Sequence, residues 1–206
     1  LCFLTVALDG YDTTAIGLVV PTLAREWGAA PAVFTPAFMT TSVGAVLGYM
    51  LSGRLSAWLG RRSAIVAVVL LFALGSLATA AATSIFSLTL LRLLTGIGLG
   101  AALPAAVSLG VEQFSAKQRE VVAVAVIAGL SAGGVLGGIT GGKLIGYFGW
   151  TSVFILGGVL PLLLAPILWW GLPMDSSVAT LGTSVSKGRV TELLAAGLKL
   201  RTGLIW

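Results

Sequence analysis

The chain has 206 residues, of which 57% are hydrophobic and only 9% charged, with a mean hydropathy of +1.06. A soluble domain carries roughly 25% charged residues, so this composition cannot cover a water-facing surface and marks an integral membrane protein. Seven acids stand against twelve Lys or Arg, with no histidine and a single cysteine, Cys2. These counts exclude His-based zinc sites, His-activated nucleophiles, a His proton relay, an internal disulfide and any CxxC site.

A helix that crosses the bilayer needs about 20 mostly apolar residues, and six such stretches follow in order. Residues 1–20 form the first, interrupted only by Asp9 and Asp12 and ended by Pro21 and Arg25-Glu26. Residues 33–52 form the second, closed by Arg54, and residues 63–82 the third, after Arg61-Arg62. A Thr83-Ser84 turn separates it from the fourth, residues 86–111, which contains Arg92. Residues 121–145 and 151–172 are the fifth and sixth, with Gly146-Tyr147-Phe148-Gly149-Trp150 as a tight link. Residues 174–188 turn polar and small, which reads as a linker. From Leu193 the chain becomes apolar again up to Trp206, as the opening of a seventh span. The expected division is a six-helix bundle over 1–172, a cytoplasmic linker over 173–192 and the start of a truncated seventh helix over 193–206. The chain reads as a fragment of a longer protein, without its start and its second half.

The connections alternate in charge. Arg54, Arg61 and Arg62 lie between the second and third spans, Lys117 and Arg119 between the fourth and fifth, and Lys187, Arg189, Lys199 and Arg201 after the sixth. Only Arg25 and Lys143 sit on the other side. By the positive-inside rule both ends of the six-span unit face the cytoplasm. The basic excess, which would suggest nucleic acid in a soluble protein, here marks cytoplasmic loops, and no nucleic-acid partner is expected. Trp27, Tyr147 and Trp150 suit interfacial anchoring at the outer boundary. The first apolar stretch carries no basic leader and no cleavage site, so it does not read as a signal peptide.

Asp9-Gly10-Tyr11-Asp12 falls in the middle of the first span. Carboxylates at that depth are expensive, so they point to function or to a partner on another helix. At i and i+3 they share one helix face, where each opposes ionisation of the other and burial acts in the same sense. Such a pair suits proton uptake and release. Arg92 is the one base well inside a predicted span; its always-charged fork can bind an anionic substrate or pair with Asp9 or Asp12. The segment 53–63, with glycines at 53 and 60 and Arg61-Arg62, reads as a short cytoplasmic turn. Gly96, Gly98 and Gly100 form no dinucleotide loop, because no strand precedes them; small residues there permit close helix contact. The fifth span carries Gly129, Gly133, Gly137 and Gly141 on one face, read chiefly as a packing surface. Gly129-Leu-Ser131-Ala-Gly133 matches a nucleophile-elbow pattern, but without a histidine or a preceding strand Ser131 is no catalytic residue.

On these residues the chain resembles a known family. The segment 53–63 looks like the signature loop between the second and third helices of the major facilitator superfamily, and the run from Arg92 to Ala102 is similar to its fourth-helix motif. The Asp9–Asp12 tetrapeptide, the 95–104 run, Phe148-Gly-Trp-Thr-Ser-Val-Phe154 and 156–161 resemble the aromatic acid:proton symporter family within it. The likeness runs through nearly the whole chain, including residues 193–206, which look like the entry to that family's seventh helix.

The resemblance implies an all-α, polytopic membrane bundle, the N-terminal half of a twelve-helix fold that works by alternating access in the inner (plasma) membrane. It implies uptake of aromatic carboxylates, with benzoate and hydroxybenzoates leading, together with protons and without cofactor, metal or enzymatic chemistry. The missing C-terminal half and the lipid bilayer would be the macromolecular partners. Asp9 and Asp12 would carry the proton, and Arg92, Asp9, Asp12 and Tyr11 would meet the substrate. Gly53, Gly60, Arg61 and Arg62 would form the gating loop, with Glu112 pairing with Arg61 or Arg62. Two departures stand out. The signature loop normally has an acid where this chain has Ala57, and commonly a base where it has Trp58, which implies a weakened outward-facing state, slower cycling or an inactive paralogue. The fifth helix has Gly134-Val135 in place of the antiporter Gly-Pro, which favours symport or uniport. A superfamily transporter for sugars, dicarboxylates or drugs, a non-transporting half-length membrane protein and, weakest, an enzyme stand as alternatives.

Overall fold

The computed structural model describes residues 1–172, and the expected linker and seventh helix lie outside the described residues. Six long helices follow one another: α1 (Cys2–Glu26), α2 (Thr35–Leu59), α3 (Arg61–Ala80), α4 (Ile85–Glu112), α5 (Arg119–Phe148) and α6 (Thr151–Gly171). A single 3-10 turn, Pro31–Phe34, leads into α2, and no strand occurs among the described residues. Each helix has 20 to 30 residues. At 1.5 Å per residue that covers the roughly 30 Å of a bilayer's hydrocarbon core. All six are long and apolar enough to cross a membrane.

Helix boundaries follow backbone chemistry more closely than charge. The sequence predicts a turn over 53–63, yet α2 runs unbroken through Gly53 and Arg54 to Leu59. The reversal is made at Gly60 alone, at φ +79°, a left-handed conformation that only glycine adopts without strain. Arg54 does not end the helix because arginine is a good helix former, and its long side chain can reach out of the bundle without breaking the backbone bonds. The link expected over 146–150 shortens in the same way: α5 continues to Phe148, and Gly149 turns the chain at φ +78°. Pro21, read as the end of the first span, sits inside α1. It removes one backbone donor, and the turns on either side are held by packing against neighbouring helices. The Thr83-Ser84 turn forms as expected, and Ser84 caps α4 in a reciprocal pair with Ser87.

In lipid, apolar surface gains little by leaving the solvent, so helix association depends on close backbone approach. Glycines supply it here at each principal seam. On α2, Gly44 and Gly48 lie against the α4 backbone at Leu93 and Ile97, while Gly96 and Gly100 of α4 lie against Thr41 and Ala45. On α5, Gly129 and Gly133 lie against Phe3 and Ala7 of α1, and Gly10 of α1 lies against Leu130. The α3 seams use Gly75 against Thr95, Gly98 against Phe72, and Gly158 against Ala73 and Leu77. The result places α1 and α4 deepest and leaves most of α2 and α5 exposed.

The two ends of the bundle are closed differently. At one end Trp27, Phe34, Trp150 and Phe154 form a chain of ring contacts, and Trp150 Nε1 donates to a Glu26 carboxylate oxygen at 2.7 Å. Trp150 is buried, so it plugs the bundle, whereas Tyr147 is 82% exposed and free to anchor at an interface. At the other end Arg61 pairs with Glu112, and the Arg62 guanidinium lies 4.6 Å from the centroid of Trp169.

The seams make a direct stability test. A Cβ at Gly133 would run into the Ala7 carbonyl, whereas at Gly138 it meets nothing within 4 Å. Gly133→Ala is expected to destabilise the detergent-solubilised protein by about 1–3 kcal/mol, read as a lowered thermal midpoint. Gly138→Ala should leave the midpoint unchanged or slightly higher. Equal effects at the two sites would refute the close-packing account.

Candidate functional site

The site grows from one turn of α1. The four residues Asp9, Gly10, Tyr11 and Asp12 project around the helix, about 100° apart, so each meets a different neighbour. Gly10 presses on α5. Tyr11 is buried and its hydroxyl donates to the Val153 carbonyl of α6 at 3.4 Å. Asp9 and Asp12, about 60° apart around the helix, share one side of α1 but meet different partners.

Asp12 is fully buried and fully engaged. One of its oxygens accepts from Arg92 Nη1 at 3.0 Å and the other from Ser76 Oγ at 2.5 Å. Both side chains of the ion pair have no exposed surface. Ser76 Oγ also lies 3.1 Å from the Phe154 carbonyl. A hydroxyl has one proton to give, and the charged carboxylate is the stronger acceptor. The Arg92 guanidinium sits 5.0 Å from the Phe154 ring centroid, within cation–π reach. Its Nε and Nη2 have no hydrogen-bond partner among the described residues. Gly157 makes room for this knot, since a Cβ there would stand 3.3 Å from the Asp12 carboxylate.

Asp9, about 60° round the helix from Asp12, has other neighbours. It is 5% exposed and accepts one long bond, from Thr13 Oγ1 at 3.3 Å. Among the described residues it has no cation within salt-bridge distance. It lines a cavity of about 180 Å³ between α1, α2, α4 and α5, together with Thr13, Thr41, Ser42, Tyr49 and Leu130. A larger cavity of about 480 Å³ lies between α1, α5 and α6. Its lining is leucine-rich, with Tyr11 and Thr140 as its polar members. None of its lining residues is charged.

The structure therefore brings Asp12 and Arg92 together, sets Tyr11 beside them against Gly157 of α6, and leaves Asp9 without a cation, on the side of α1 opposite to Tyr11. The gating residues gather at one end: Gly60 turns the chain, Arg61 meets Glu112 and Arg62 stacks on Trp169, while Gly53 is simply an exposed helical residue. Ala57 and Trp58 point outward, Trp58 at 86% exposure. Sequence reading did not single out Ser76, Thr41, Ser42 or Tyr49. A serine in mid-span is too common to flag by itself, and its alignment with Asp12 depends on how α3 lies against α1. No group of three or more candidate metal ligands occurs among the described residues.

A sharp expectation follows for the buried pair. Asp12→Asn leaves Arg92 charged and unbalanced in an apolar interior, a loss of about 3–5 kcal/mol. Replacing both partners, Asp12→Leu with Arg92→Met, should restore most of the thermal midpoint lost by the single change. A double variant no more stable than the single would show that the pair is not the source of the loss.

Comparison with known proteins agrees with this architecture. The profile of the Major Facilitator Superfamily matches residues 2–204. The chain is 40% identical over 195 residues to the 4-hydroxybenzoate transporter PcaK of Pseudomonas aeruginosa, covering 95% of this chain and 43% of that protein. It is 40% identical over 173 residues to a gallate transporter of Pseudomonas putida, covering 84% and 38%. The chain thus spans less than half the length of these curated relatives. Among solved structures it resembles the xylose transporter XylE from E. coli in a partially occluded, inward-open conformation. There the TM-score is 0.77 at 19% identity, over 99% of this chain and 54% of that one, a likeness of fold.

Proposed function

The chain belongs to the major facilitator superfamily, and from that membership we propose that it forms the first half of a transporter for aromatic carboxylates driven by protons. Benzoates and hydroxybenzoates are the leading substrates, by analogy with relatives named as 4-hydroxybenzoate and gallate transporters. In this reading a second six-helix half completes the cavity, and the exposed faces of α2 and α5 face it. The basic end, carrying Arg54, Arg61, Arg62, Lys117 and Arg119, lies on the cytoplasmic side of the inner membrane.

The observation that carries the proposal is a charge count at membrane depth. Asp12 and Arg92 cancel each other within a sealed contact, and Asp9 is left as an uncompensated acid lining a cavity. A proton at Asp9 removes that charge. The substrate carboxylate then brings in one negative charge where there would otherwise be two. Proton binding therefore lowers the cost of closing the halves around the anion, which is the coupling a symporter needs. Arg92, with Nε and Nη2 unspent, supplies the cation for the substrate carboxylate once the halves rearrange, and Asp12 holds it in place meanwhile. Tyr11 acts as a tether between α1 and α6.

A monoanion entering with one proton moves no net charge, so such uptake draws on the pH gradient. The membrane potential, worth about 2.3 kcal/mol per charge per 100 mV, adds only with further protons. The Ala57 departure bears on rate: Arg61–Glu112 is an ionic tie at the basic end, and a signature loop without its usual acid closes that end more weakly, which favours slow cycling.

The test is uptake of labelled 4-hydroxybenzoate into proteoliposomes carrying the protein expressed from its natural open reading frame. A panel with xylose, succinate and a cationic drug runs beside it. Uptake against a gradient is expected to rise as the outside is acidified. Asp9→Asn should abolish that acid stimulation while leaving substrate exchange down its own gradient within a few fold. Acid-driven accumulation that survives in Asp9→Asn would remove Asp9 from the coupling, and uptake of only a panel compound would overturn the substrate class.

A further inference from the structure

The pocket beside Asp9 has a chemical polarity of its own. Thr41 Oγ1 donates to the Ala37 carbonyl at 2.7 Å, and Ser42 Oγ donates to the Phe38 carbonyl at 3.1 Å. Thr13 Oγ1 donates to Asp9 at 3.3 Å. Three hydroxyls on the pocket wall have therefore spent their single protons on the protein, and what they turn to the cavity is acceptor lone pairs. Asp9 is itself buried; ionised it only accepts, and protonated, as the transport reading has it when substrate is enclosed, it offers one proton and keeps one oxygen as an acceptor. Tyr49 is the fourth hydroxyl of the lining and can donate, so the wall holds more acceptors than donors and suits a group that donates better than a carboxylate, which only accepts. Leu99, Leu103 and Leu130, with Ala45 and Gly100, supply the apolar part of the lining. At about 180 Å³ the pocket is smaller than the roughly 300–1,000 Å³ of a complete small-molecule site, so it takes one end of a ligand.

We propose that this pocket is the subsite for the phenolic hydroxyl of a ring-hydroxylated aromatic acid, and that the substrate's carboxylate points away from it. Thr41 and Ser42 are then specificity-determining residues: they accept the hydroxyl proton while the leucines hold the ring edge. The inference rests on the transport reading above and adds to it the orientation of the substrate. Hydroxylated acids gain a hydrogen bond here, and an acid with a bare or methoxylated ring forgoes it.

The experiment compares inhibition of labelled 4-hydroxybenzoate uptake by unlabelled 4-hydroxybenzoate, benzoate and 4-methoxybenzoate, in the natural protein and in Thr41→Val, Ser42→Ala and the double variant. Valine keeps the shape of threonine, and detergent melting curves confirm that the variants fold. The natural protein should prefer 4-hydroxybenzoate over both analogues. The double variant should raise KM for 4-hydroxybenzoate by roughly 3- to 10-fold, the effect of one lost hydrogen bond, leave benzoate inhibition unchanged and leave maximal rate nearly intact. If the variants weaken 4-hydroxybenzoate and benzoate alike, or alter neither, the subsite assignment falls while the transport reading stands. If the natural protein takes up no aromatic acid, the transport reading falls and takes this inference with it.

Discussion

A charged pair buried between helices governs what the neighbouring parts of this bundle can be. The Asp12–Arg92 contact has no access to water. Each ion gives up its hydration, and their attraction repays this only when the geometry is good and other polar atoms are satisfied. The surroundings follow from that requirement. Ser76 from α3 supplies the second donor to Asp12, Phe154 from α6 offers a ring face to the guanidinium, and Gly157 leaves the space that the carboxylate needs. One ion pair thus fixes four helices at a common depth, and Arg92 still has two donors in hand.

The glycine seams do complementary work. In hydrocarbon there is no large hydrophobic gain from bringing helices together, so the contact surface must be smooth enough for backbones to touch. The α2–α4 seam has glycines on both sides, staggered so that each meets a carbonyl or amide of the partner, and the α1–α5 seam repeats the arrangement. Close seams hold α1 and α4 side by side at the centre, and that placement is what lets residues on one turn of α1 look into different compartments. Asp12 turns to the sealed side and Asp9 to the open pocket. Two acids three residues apart acquire different jobs because the helices around them differ.

Much of this was legible in the chain itself. Six spans, their order and the depth of Asp9, Asp12 and Arg92 follow from counting apolar residues between charges. The glycine pattern on α5 correctly pointed to packing. Boundaries were less legible. Arg54 and Pro21 look like stops on paper, but helix geometry tolerates a cation near a C-terminus and a proline whose neighbouring turns are packed. The actual turns are made at Gly60 and Gly149 by their positive φ. Trp150 read as an interfacial anchor because aromatic residues near span ends usually are; a hydrogen bond to Glu26 and contacts to Trp27 and Phe154 bury it instead.

Sequence alone showed that residues 1–172 hold six stretches long and apolar enough to cross a membrane and that two acids and one arginine lie where charge is costly. Those conclusions depend on transfer energies and residue counts along one dimension. Only the tertiary structure decided which acid meets the arginine, that Ser76 joins them, and that Thr41, Ser42 and Tyr49 share a pocket with Asp9. Pairing across helices depends on their relative rotation and sliding, and these are set by backbone contacts at glycines that lie far apart in the chain.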